Sequence, residues 1–221
     1  MPFDMMTDPN LPPRNRNRWT GRAAILLILL VAAAIRIHGV AFGLPALNDP
    51  DEPLFMMTAL DMLRSGNPNP GWFGHPATLT FYAIALVMVA VAGIGLLTGR
   101  FANLDAFVDA AYADPSILFL PARLFFVACG VLCVWLTWRL GKRLGGARVG
   151  QGAAALLAIN SVHVEYSQVI RTDVQMTVFV LLAMLASLDI LERGRLRDHA
   201  LAGIWIGLGV ATKWPAALII F

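Results

Sequence analysis

Residues 117–160 read ILFLPARLFFVACGVLCVWLTWRLGKRLGGARVGQGAAALLAIN: two apolar runs parted by Arg139, Lys142, Arg143 and Arg148. Taken as a helix at 1.5 Å per residue, a run of about 20 apolar residues spans the ~30 Å hydrocarbon core of a bilayer. The runs lack the strict alternation of barrel strands, so the stretch predicts a helical hairpin. A basic turn between two spans belongs on the cytoplasmic side by the positive-inside rule. Working outward, further apolar segments lie at 23–40, 77–98, 174–191 and 200–221, beside the hairpin's own 117–138 and 149–164. The whole chain is 58% hydrophobic and 14% charged with a mean hydropathy of +0.67, too apolar for a soluble domain. An all-α polytopic membrane protein follows, with the lipid bilayer as its first partner.

The net charge of +3 arises from Arg clusters between apolar runs, so it reports orientation and gives no ground for a nucleic-acid partner. Cys129 and Cys133 lie within one apolar run and read as small buried hydrophobes. Segment 23–40 follows Arg14, Arg16, Arg18 and Arg22 without a small-residue cleavage site, which makes it a retained anchor. Residues 1–22 then form a cytoplasmic basic tail. Residues 23–221 form the membrane module, expected to be incomplete at its C-terminus because residue 221 falls inside an apolar run.

Six simple spans would place Arg139, Lys142, Arg143 and Arg148 opposite the Arg-rich tail, against the positive-inside rule. Leaving 77–98 outside as a juxtamembrane helix restores agreement. The N-terminus and the clusters 139–148 and 193–197 then lie inside, while residues 41–122 and 165–173 lie outside. Within the outer loop, 53–64 reads as an interfacial amphipathic helix with Thr58, Asp61 and Ser65 on one stripe. The Asn- and Pro-rich turn 66–74 ends it.

Charged residues near a bilayer are costly, so those without a topological role are the functional candidates. Eleven of the 17 Lys and Arg serve the inner clusters, leaving Arg36, Arg64, Arg100, Arg123, Arg171 and Lys213. Lys213 lies about 15 residues beyond Asp198, ~22 Å along a helix, near the outer leaflet. There it neutralises a lipid phosphate or snorkels to the surface. Asp49, Asp51 and Glu52 open the outer loop, where one carboxylate suits a general base and another suits the cap of the following helix. The outer turn carries His163, Glu165, Tyr166, Arg171, Thr172 and Asp173; a structural account pairs Arg171 with Asp173. Arg123 holds a phosphate or pairs with an outer acid.

In order, the set is Asp51-Glu52 after the first span, His75-Pro76 before an apolar helix, Pro121-Ala122-Arg123, Arg171-Thr172-Asp173 and Ala211-Thr212-Lys213-Trp214. It resembles the GT-C glycosyltransferases of the protein O-mannosyltransferase and aminoarabinose transferase type over residues 40–221. The resemblance implies a GT-C helix bundle with juxtamembrane helices in its first outer loop. It assigns the base that activates the acceptor to Asp51, with Glu52 beside it. It places Arg123 and Asp173 near donor or acceptor, and Lys213 at the lipid phosphate. Many relatives have Lys-Pro-Pro where this chain has His75-Pro76-Ala77, a departure that bears on phosphate or metal contact there.

The expected reaction is inverting transfer of a sugar from a polyprenyl-phosphate donor to an acceptor hydroxyl on the extracytoplasmic face of the cell membrane. The catalytic candidates are Asp51, Glu52 and Asp173; those for substrate binding are His75, Arg123, Glu165, Arg171 and Lys213. A carboxylate cluster with few histidines suits a hard divalent metal, with Asp51, Glu52 and His75 as candidate ligands. The acceptor, whether protein, lipid or glycan, is not legible. The rival classes are a polytopic transporter, whose polar site would lie near the midplane on repeated broken helices, and a non-catalytic lipid-binding subunit.

Overall fold

The computed structural model describes residues 16–47, 49–71 and 77–220, and every regular element among them is helical. The order is α1 (Arg16–Ile37), α2 (Glu52–Ser65), α3 (Thr78–Leu97), α4 (Leu104–Ala113), α5 (Ser116–Ile159), α6 (Ser161–Ser167), α7 (Thr172–Arg193), α8 (Leu196–Thr212) and a 3-10 helix Trp214–Ile220. By length and composition α3, α5 and α7 are each able to cross a membrane. The protein is an all-α membrane bundle.

The hairpin forms inside α5, which breaks at Gly146, whose φ of 84° no β-carbon-bearing residue adopts without strain. Its two arms touch beside the turn. A Cβ on Gly150 would stand 2.6 Å from the Trp138 carbonyl oxygen and 2.8 Å from the Lys142 nitrogen. Gly150→Ala is therefore expected to force the arms apart at a cost of about 1–3 kcal/mol, read as a lower melting temperature of the detergent-solubilised protein.

Three apolar clusters build the bundle on this hairpin. α1 lays Ile25 and Ala32 against Val134, Ala154 and Ala158. α7 lays Val174, Val178 and Leu185 against Cys133 and Leu136. α2 and α3 cover the first turns of α5 with Phe55, Met56, Ala59, Phe81, Ile84 and Met88 on Phe119, Ala122 and Phe126. α8 packs on α7, with Phe179 stacked on Trp205 at 6.3 Å between centroids. The N-terminal end of α3 meets the end of α8, where the Ala77 N–H donates to the Thr212 carbonyl at 3.1 Å. At the basic end of the bundle, Arg143 joins α5 to α7 through Asp189 at 3.0 Å and Glu192 at 2.6 Å.

Several boundaries differ from those read in the sequence. Segment 149–164 stops as a helix at Ile159, because Asn160 leaves helical geometry and its side chain accepts from the His163 N–H to start α6. Segment 200–221 is helical only through Thr212; Pro215 has no N–H for the ladder, and the chain continues as a tighter helix. Helix α4 lies within the outer segment 41–122, and its Asn103 cap, which accepts from the Ala106 N–H at 2.8 Å, is the local signal that marks it. The amphipathic helix expected over 53–64 is α2, closed by Gly66 in left-handed geometry.

Arg36, wholly buried in α1, joins α1 to the end of α5. Its Nη1 donates to the carbonyls of Ala32 and Ala158, each at 3.0 Å, and its Nη2 to Leu157 at 3.3 Å. A guanidinium there meets carbonyls that a helix C-terminus leaves without partners.

Candidate active site

The site begins at the turn before α2. Asp49 Oδ1 accepts from the backbone N–H of Asp51 at 3.0 Å and of Glu52 at 3.3 Å, so the capping role falls to Asp49. Asp51 occupies the N-cap position but makes no side-chain cap, and its half-exposed carboxylate is left for other partners.

Glu52 turns inward and meets Arg123 side-on: Nε to Oε1 is 2.8 Å and Nη2 to Oε2 is 2.6 Å, with both side chains 0% exposed. Arg123 Nη1 also donates to the carbonyls of Val40 and Phe42 at 2.8 and 2.7 Å, and the Phe42 ring lies 4.4 Å from the guanidinium. Glu52 Oε1 accepts a further bond from the Ile170 N–H at 3.0 Å. The pair thus ties the chain after α1, the start of α2, the start of α5 and the segment before α7 to one point. Of the two readings of Arg123, the structure shows the pairing with an outer acid. Wholly buried, Arg123 does not reach the cleft described next.

By holding Ile170, Glu52 fixes the neighbouring Arg171. Arg171 Nη2 lies 2.9 Å from Asp51 Oδ2 and 3.3 Å from Asp49 Oδ2, with the Tyr166 ring 5.5 Å away. Burial works against the charge on Arg171, but the carboxylates of Asp49 and Asp51 outweigh it and hold the guanidinium above its usual range. Lys213, at the C-cap of α8, places Nζ 2.6 Å from Asp173 Oδ1 in the first turn of α7. The expected Arg171–Asp173 pair is therefore replaced by two cross-links, because the backbone at Arg171 is extended and carries its side chain toward α2. Thr80 Oγ1 donates to Gln175 Oε1 at 2.7 Å and pins the start of α3 to α7 behind them.

Asp51, Arg171, Asp173 and Lys213 converge on one cleft of about 130 Å³, completed by Leu54, Phe55 and Thr172. Two carboxylates and two cations, all partly open to solvent, can together bind an anion and accept a proton. Glu165 is exposed on α6 and does not line this cleft. His75 lies outside the described residues. Among the described residues no three His, Cys, Asp or Glu side chains are grouped to hold a metal ion. Of the three candidate metal ligands, Glu52 is taken up by Arg123 and Asp51 faces Arg171. Asp49 is the contributor that motif spacing did not single out; its position two residues before the N-cap was the available signal.

A second polar group lies deeper, where Arg36 Nη2 stands 2.8 Å from His163 Nδ1 on α6.

Residues 117–221, a little under half of the chain, match the family model of dolichyl-phosphate-mannose-protein mannosyltransferases. The match covers Arg123, Glu165, Arg171, Asp173 and Lys213 and leaves out the turn with Asp49, Asp51 and Glu52. No curated protein and no solved structure matches the chain significantly. The match points to a membrane-embedded glycosyltransferase of the GT-C kind.

Proposed function

We propose that this chain carries the reactive cleft of a GT-C glycosyltransferase that moves a sugar from a polyprenyl-phosphate donor to an acceptor hydroxyl, with inversion at the anomeric carbon. The observation that carries the reading is the meeting of Asp51, Arg171, Asp173 and Lys213 in one cleft at the joined ends of α2, α7 and α8. The family match over α5–α8 supports it.

The acceptor hydroxyl attacks the anomeric carbon and gives its proton to Asp51. The bond from that carbon to the phosphate oxygen breaks, and its electron pair leaves with the lipid phosphate. Arg171 and Lys213 stabilise the charge that gathers there; cations placed for a developing oxyanion are a large part of such catalysis. Asp173 holds Lys213 in place, and the buried Glu52–Arg123 pair fixes the backbone that carries Asp51 and Arg171. These roles move the phosphate contact from Arg123 to Arg171. The cleft lies on the extracytoplasmic side, with α3 across the outer ends of the spans; its packing on the first turns of α5 and its tie to Thr212 favour that placement. A transporter reading gains nothing from the geometry, since the cleft's charges gather at helix ends and not at mid-span.

The test is reconstitution in lipid vesicles with labelled sugar supplied either on polyprenyl phosphate or on a nucleotide, with cell-envelope extract as acceptor. Transfer only from the lipid donor, with the product's anomeric configuration inverted, is expected. Transfer from the nucleotide sugar, retention, or no transfer at all would overturn the reading.

A further inference from the structure

We infer that Asp49 is a positioning residue for the reaction proposed above: it keeps Arg171 in the cleft when an incoming phosphate takes that cation from Asp51. The inference rests on the glycosyltransferase reading and adds to it an order of events.

Arg171 Nη2 is shared by two carboxylates of unequal standing. Asp49 is 14% exposed and anchored through Oδ1 by two backbone N–H groups, whereas Asp51 is 53% exposed and has no backbone bond to its side chain. A phosphate competing for the guanidinium displaces the partner held least, which is Asp51. Arg171 also has a buried Nε without a partner among the described residues, a donor that an oxyanion in the cleft can engage.

Two consequences follow from the exchange. Asp51, relieved of its cation, has the oxygen that met Arg171 free for the acceptor hydroxyl. Arg171, still held by Asp49, stays where the departing phosphate gathers charge. Donor binding thus precedes activation of the acceptor. Without the charge on Asp49, Arg171 loses the carboxylate that keeps it in place once Asp51 has released it.

Asparagine separates this role from a structural one, since its side-chain oxygen accepts the same backbone N–H bonds but carries no charge. Asp49→Asn in the full chain is expected to keep its melting temperature and donor KM while kcat falls about tenfold, a share of the gain a positioned base supplies. Asp49→Ala is expected to lower the melting temperature as well. A wild-type kcat in Asp49→Asn overturns the inference, and so does a loss of stability in Asp49→Asn equal to that of Asp49→Ala.

A second readout does not need turnover. Carboxylates of the wild-type protein are labelled with a water-soluble carbodiimide, with and without a polyprenyl monophosphate, and located by mass spectrometry. Labelling of Asp51 should rise with the lipid phosphate while that of Asp49 stays constant. Unchanged Asp51 labelling, or a rise at both, sinks the exchange. Should the wild type transfer no sugar yet show this exchange, the transfer reading fails and the positioning role of Asp49 stands.

Discussion

Asp51→Asn is expected to lower sugar transfer by about 10²–10⁴-fold, the usual contribution of a positioned general base, with little change in stability. The direction follows from what Asp51 touches. Its side chain is half exposed, caps no helix and, among the described residues, pairs with Arg171, so the amide removes proton-accepting capacity without opening the core. An exposed ion pair of this kind contributes about 0–1 kcal/mol, too little to confuse loss of activity with loss of fold. Donor KM should change far less than kcat, because Arg171 and Lys213 remain to hold the phosphate. Initial rates at saturating donor, with protein amount normalised by in-gel fluorescence of a fused reporter, measure the effect. Wild-type rates would move the base to Asp173, the other carboxylate in the cleft.

The second large effect lies in the buried pair. Arg123→Met leaves Glu52 charged and unpaired where it is 0% exposed, and it strips the carbonyls of Val40 and Phe42 of their donor. Removing one partner of a buried ion pair costs about 3–5 kcal/mol, a large part of the stability of an ordinary domain. The variant is expected to accumulate poorly and to melt well below the wild type in detergent. Adding Glu52→Gln should recover much of the loss, since a neutral amide is cheaper to bury than an orphaned carboxylate. Partial recovery of stability without recovery of transfer is the expected pattern, because Glu52 also holds the Ile170 N–H and through it the placement of Arg171. If Arg123→Met melts as the wild type does while transfer vanishes, Arg123 instead contacts the ligand.

Within the candidate set, spacing could mark which residues were expensive but not which would meet. Arg171 and Asp173, two apart, looked like partners; extended geometry at Arg171 and the start of α7 separates them, and each pairs with a residue from another element. Asp51 and Glu52 looked like a catalytic couple, yet adjacent residues at a helix start point in different directions, one into the cleft and one into the core. Which of Asp49, Asp51 and Glu52 would cap the helix was open in the sequence; the backbone bonds of Asp49 place it between the turn and Arg171. Asn103 was a readable cap, but the ten residues of α4 are too short to stand out beside the long runs.

The sequence by itself determined the class of the protein. Apolar runs long enough to span a bilayer leave the backbone no option but to bond within each helix, and Gly146 between two such runs turns one back on the other. Those are local effects, carried by residues near one another in the chain. The tertiary structure decided the chemistry of each charge: Glu52 finds Arg123, Arg171 finds Asp49 and Asp51, and Lys213 finds Asp173. A long, flexible cation adopts whichever carboxylate the packing of distant helices brings within reach, and that choice depends on three-dimensional proximity that local spacing does not encode.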